Sequence, residues 1–150
     1  MLTVTSDELQ KWADKYSAKA EFPQLIRRLI WATCSEIRKL DFSGDEDIYL
    51  SGFDGIVDCG QGNHIVPNGL SVWELSTEKD VTSKANDDYD KRTQDPGLID
   101  SSKASFIFAT PRRWSKGKDW ETEKTGNNEW GGFGLWRQAK SRSGWTKYLG

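Results

Sequence analysis

The stretch Leu70-Ser71-Val72-Trp73-Glu74-Leu75-Ser76-Thr77 most constrains this chain, because it reads as a strand with a carboxylate fixed near its middle. Its β-branched and aromatic residues favour extended backbone. Strand alternation puts Leu70, Val72, Glu74 and Ser76 on one face. A polar segment of helical character follows over 81–93 and is broken by Asp95-Pro96-Gly97. Ala104–Thr110 then contains Phe106-Ile107-Phe108, a short apolar run of the kind that buried strands show.

The flanking segments complete a pattern. Ser6 reads as an N-cap, with Asp7 and Glu8 in the first turn after it. Leu9, Trp12, Ala13 and Tyr16 recur at helical spacing and predict a helix over 7–18. Pro23 suits the first turn of a second helix, whose stripe is Leu25, Ile26, Leu29, Ile30 and Thr33 and which ends near Cys34. Ile37–Leu40 predicts a short edge strand, Ser43-Gly44-Asp45 a turn, and Ile48–Leu50 and Phe53–Cys59 two more strands. Gly60, Gly62, Asn63, Pro67, Asn68 and Gly69 mark a loop. Pro111-Arg112-Arg113-Trp114 reads as another, and residues 116–125 as a last charged helix. The order helix, helix, strands, helix, strand, helix predicts an α/β sandwich, a central mixed β-sheet flanked by helices.

A length of 150 residues fits one domain, and 35% apolar with 29% charged residues fits a soluble globular class. No 18-residue apolar run exists to cross a membrane. The N-terminus lacks the apolar stretch of a signal peptide, and Cys34 and Cys59 form no motif, so a reducing cytoplasm is the expectation. The one histidine, His64, excludes a Cys/His zinc site and sits in a Gly/Asn/Pro loop without a nucleophile beside it. The net charge of −2 gives no global basic surface. Four of the 21 basic side chains and none of the 23 acidic ones fall within residues 131–150, so any phosphate-binding surface is a local patch. The 8 tryptophans fit core mass, an interface or base-stacking platforms alike.

The candidate chemistry rests on Asp54 and Glu74. Asp54, Ile56 and Asp58 share one face of their strand, and if that strand pairs with 70–77, Asp54 and Glu74 converge. Two carboxylates held close together call for a cation, and oxygen ligands with room for water suit Mg²⁺ or Mn²⁺. Such an ion can activate water against a phosphodiester. Lys79, just past the strand, is placed to steer that water; Lys84 lies further off. Asp58, on the same face, is the rival of Asp54, whereas Glu78 reads as a solvated turn acid. Strand carboxylates also commonly face solvent or pair with a lysine, and that structural reading stands beside the metal one.

The segment Gly52-Phe53-Asp54-Gly55-Ile56-Val57 resembles the G-x-D-G segment of type IV restriction-like nucleases, and Val72-Trp73-Glu74-Leu75-Ser76 sits where the E-x-K strand would be. Together they are similar to the core of the PD-(D/E)xK restriction-endonuclease-like superfamily. That resemblance implies a restriction-endonuclease-like fold and a Mg²⁺-dependent endonuclease acting on DNA, with Asp54 and Glu74 as metal ligands. A closer resemblance spans roughly residues 20–130 and is to N-terminal domains of large bacterial antiphage-defence proteins, some carrying NTPase regions. The segments GFDGIVD, IVPNGLSVWELSTEKD, DYDKRT and FIFATPRRW carry it. Ser76 stands where the family's lysine would be, which leaves Lys79 to supply the charge or the site impaired. A degenerate module that binds nucleic acid or a partner is therefore the alternative, and an inert fragment of a decayed gene is a further one.

Arg112 and Arg113, with Lys84, are the expected contacts to DNA phosphates, and Trp114 packs or stacks beside them. Lys91 and Arg92 read as a solvated helix face. The resemblance stops after Trp130, so the expected division is a domain over 1–130 and a basic tail over 131–150, the latter truncated or frameshifted from a longer protein with a C-terminal regulatory region. Oligomeric state is open, with a homo-oligomer among the options.

Overall fold

The computed structural model describes residues 5–42 and 52–138. The turn expected at Ser43–Asp45, the strand at Ile48–Leu50 and the tail beyond residue 138 lie outside the described residues.

Among the described residues, five strands form one mixed sheet in sequence order. They are β1 (Ser35–Asp41), β2 (Gly55–Gln61), β3 (Gly69–Leu75), β4 (Ser105–Arg113) and β5 (Gly132–Gln138). β1, β2 and β3 are antiparallel neighbours, whereas β3, β4 and β5 run parallel. Helices supply the two parallel crossovers: α3 (Val81–Gln94) joins β3 to β4, and α4 (Gly117–Asn127) joins β4 to β5. Helices α1 (Ser6–Ala13) and α2 (Ala18–Thr33) precede the sheet. The α/β architecture with a flanked mixed sheet is therefore as expected.

Strand alternation divides the core in two. On one face Leu9, Phe22, Ile26 and Ile30 pack against Val57, Trp73, Ile107 and Trp136. On the other, Val81, Ala85, Tyr89 and Trp120 pack against Ile56, Val72, Phe106 and Phe108. Helix α3 has few apolar residues, and its small polar ones do a second job. Thr82, Asn86 and Thr93 accept hydrogen bonds from the indole N–H groups of Trp114, Trp120 and Trp130 at 2.8, 2.9 and 3.0 Å. Buried indoles need such acceptors. Five tryptophans are thus core mass.

Several boundaries differ from expectation. Thr5, not Ser6, caps α1, because Thr5 and Glu8 form a reciprocal capping box. That helix stops at Ala13 and leaves Tyr16 fully exposed in the following turn. Helix α2 starts at Ala18, so Pro23 lies in its second turn and removes the donor that the Lys19 carbonyl would otherwise receive. The loop expected at Pro111–Trp114 is largely strand. β4 continues to Arg113 across a register irregularity that accommodates Pro111, which has no N–H for a ladder. All seven residues of β5 lie beyond the boundary expected at residue 130.

Candidate functional site

The antiparallel register of β2 and β3 sets Gly55 opposite Trp73. One step further, Asp54 brackets Glu74: its N–H donates to Trp73 O at 3.0 Å, and its Oδ2 accepts from Leu75 N at 2.8 Å. Both carboxylates stand on the α3 side of the sheet, and Asp54 is near enough to raise the pKa of Glu74. The convergence expected from alternation is present. Asp58, two pleats along, sits opposite Leu70 and pairs with Arg38 at 3.1 Å, so it takes no part.

Glu74 is 2% exposed. Burial, and then the adjacent Asp54, push its carboxyl up to about 9 against the opposing pull of Arg92. Asp54 is less buried and lines a cleft of about 310 Å³ at the C-terminal end of β3, together with Leu75, Ser76, Lys84 and the Lys19–Pro23 end of α2.

Helix α3 covers this pair with three charged side chains one turn apart. Lys84 Nζ donates to Asp88 Oδ1 at 2.7 Å. Burial pulls the Lys84 ammonium down, but Asp88, Glu74 and Asp54 outweigh it and hold the pKa above the usual lysine value. Burial raises Asp88 despite its lysine, and Asp54 raises it further. The second oxygen of Asp88, Oδ2, is buried without a hydrogen-bond partner. Arg92 Nε donates to Glu74 Oε1, and one Nη donates to Gly52 O. Its guanidinium also lies 5.5 Å from the centre of the Phe53 ring.

Arg92 and Asp88 are the residues that sequence reasoning missed. Arg92, expected on a solvated face, has a side chain only 15% exposed. The available signal was the four-residue spacing of Lys84, Asp88 and Arg92 beside the Val81, Ala85, Tyr89 stripe.

Other expected site residues are placed elsewhere. The Lys79 ammonium is turned outward, 80% exposed and 4.0 Å from Asp14. Ser76 accepts from Glu78 N at 3.1 Å and offers no charge. Arg112, expected to hold phosphate, is buried and has its donors engaged by Thr77 O, Asp14 and Ala13 O at 2.7, 2.8 and 3.1 Å. Arg113 is exposed and pairs with Asp7 at the other end of α1 at 2.6 Å.

Among the described residues, no group of three or more His, Cys, Asp or Glu side chains is arranged to hold a metal ion. A cation here would therefore lean on two carboxylates, as Mg²⁺ does when water and substrate oxygens complete its shell. The donor set fits that role: the donors are all oxygen, Glu74 buried and Asp54 open to the cleft, and Asp88 on α3, whose Oδ2 is unpartnered, feels the Asp54 charge. No family model matches this chain, and neither a curated protein nor a solved structure does.

Proposed function

We propose that the chain is a divalent-cation-dependent nuclease domain of the restriction-endonuclease-like kind, hydrolysing DNA phosphodiester bonds as a bacterial antiviral effector. The observation that supports this reading is the Asp54–Glu74 pair, two carboxylates crowded together on neighbouring strand ends beside an open cleft with lysines in its wall. Asp54 and Glu74 would hold Mg²⁺ or Mn²⁺, which when bound activates water and offsets charge developing on phosphate.

The chain's own residues do the rest. The Leu75 N–H fixes the orientation of the Asp54 carboxylate from the next strand. Burial of Glu74 strengthens its electrostatic coupling to Asp54. Lys84 lines the cleft with its charge maintained by three acids, so it takes the water-steering and charge-neutralising role expected of Lys79. Lys19 stands across the cleft as a second contact to the phosphate backbone.

A second reading is favoured by Ser76 and by the arginine seated on Glu74: the same domain as a catalytically degenerate module that binds nucleic acid or a partner. Nicking of supercoiled plasmid with Mn²⁺ separates the two. On the nuclease reading, Asp54→Ala and Glu74→Ala each lower nicking by about 100-fold or more, the scale of a lost catalytic group. Full activity in both variants defeats the site assignment. Binding of DNA by the parent chain with no nicking supports the second reading.

A further inference from the structure

Helix α3 carries two unusual features one turn apart. Arg92 is an internal cation sitting on the acid pair, anchored also at Gly52 O and beside the Phe53 ring. Asp88, four residues earlier, satisfies only one of its carboxylate oxygens: Oδ1 holds Lys84 at 2.7 Å, and the buried Oδ2 has no partner. Its side chain is nine-tenths buried, with 10% exposure. A buried carboxylate oxygen left unpaired is costly, so one that persists calls for a partner in some state of the molecule. Arg92 is its helical neighbour at i+4, near enough that Asp88 feels its charge.

We infer that Arg92 is a built-in counter-ion with two berths, Glu74 in the cation-free protein and Asp88 Oδ2 once a divalent cation occupies Asp54 and Glu74. The inference rests on the metal reading above and adds its regulation. Two carboxylates with a divalent cation are neutral together, so the guanidinium loses its attraction there and is repelled by the ion. The move to Asp88 exchanges the whole set of guanidinium contacts, Gly52 O and the Phe53 ring as well as Glu74, for the one at Asp88. Arg92 thus sets the cation affinity of the site: it favours the empty state, and Asp88 offsets that preference by receiving the displaced guanidinium.

Calorimetric titration of Mn²⁺ into the full chain tests this as a double-mutant cycle. Arg92→Gln should tighten Mn²⁺ binding by about threefold or more, and Asp88→Asn should weaken it by a similar factor in the parent but not in the Arg92→Gln background. Equal weakening by Asp88→Asn in both backgrounds reduces Asp88 to a distant charge and overturns the two-berth scheme. So does an Arg92→Gln variant that binds no more tightly than the parent. If the parent binds no Mn²⁺, the metal reading itself fails and this one with it; binding without the predicted cycle sinks this one alone. A second measurement needs no arginine variant. The Arg92 Nε–H resonance should shift when Mg²⁺ is added to the parent chain and stay put in Asp88→Asn. An unmoved resonance in the Mg²⁺-saturated parent overturns the proposal.

Discussion

Arg112 and Arg113 are adjacent in sequence and differ in fate: both reach α1, but Arg112 is buried at its C-terminal end, whereas Arg113 is exposed and pairs at its N-terminal end. Arg112 ties the end of α1 to the residues after β3 and is 8% exposed. Arg112→Met should cost about 3 kcal/mol by urea denaturation, the scale for stranding buried hydrogen-bond partners, and leave DNA affinity unchanged. Glu74 has a different signature. Its folded-state pKa of about 9 lies above the ordinary glutamate value, so the folded protein holds the proton over a range where the unfolded chain releases it. Stability from this group is fully present below about pH 4.5 and declines as pH rises towards 9. The cation-free protein should therefore lose stability across that window, and Glu74→Gln should flatten the profile, as read by thermal melts from pH 5 to 9. Asp54 and Glu74 were legible because short strand side chains are aimed by backbone alternation alone. Arg92 and Arg112 were not, because a long flexible stem can carry its charge to either solvent or core, and only the packed structure selects.

At the scale of elements, the strands with strong apolar signals were legible and those made by their partners were not. β3 and the Phe106–Phe108 run of β4 are apolar enough to declare themselves. β5 begins Gly132-Phe133-Gly134, a sequence with little intrinsic preference for strand. Its glycines have a positional reason: a Cβ at Gly132 would collide with the Ser105 hydroxyl, and one at Gly134 would come within 2.7 Å of Ile107 Cδ1. β5 is thus a strand because β4 is beside it. Its contribution is carried by Trp136, 4% exposed, edge-on to Trp73 with centroids 5.3 Å apart, and donating to Ile65 O at 3.1 Å. Trp136→Ala should cost about 3–5 kcal/mol, as removal of a large buried aromatic does. A chain cut after residue 130 should lose cooperative unfolding; a sharp transition in that fragment would show that the domain closes without β5. The early end of α1 and the early start of α2 escaped notice for a related reason. Tyr16 fits a helical stripe by spacing, yet it lies in the turn between the two helices and is exposed.

Over the whole molecule, a net charge of −2 gives no global attraction for nucleic acid, so on the proposed nuclease reading binding would rest on local charge, and among the described residues Lys19 and Lys84 line the cleft. Lys84→Gln should weaken DNA binding without regard to sequence and reduce the slope of log affinity against log salt by about one, measured by fluorescence anisotropy. The layered α/β architecture was legible as a whole, since alternating helical and strand periods leave few ways to bury both faces of a sheet. The aromatic content carries one more consequence. Trp73 and Trp136 lie in the layer beneath α2, whereas Trp114, Trp120 and Trp130 lie in the layer beneath α3 and α4. Each group contains indole rings in near contact, 5.3 Å apart between Trp73 and Trp136 and 5.1 Å between Trp114 and Trp120. Their electronic transitions couple within each layer, so each layer adds its own contribution to the near-ultraviolet dichroism of this domain. Replacing one tryptophan of either pair with phenylalanine removes that layer's coupling and makes loosening of the other layer easier to follow.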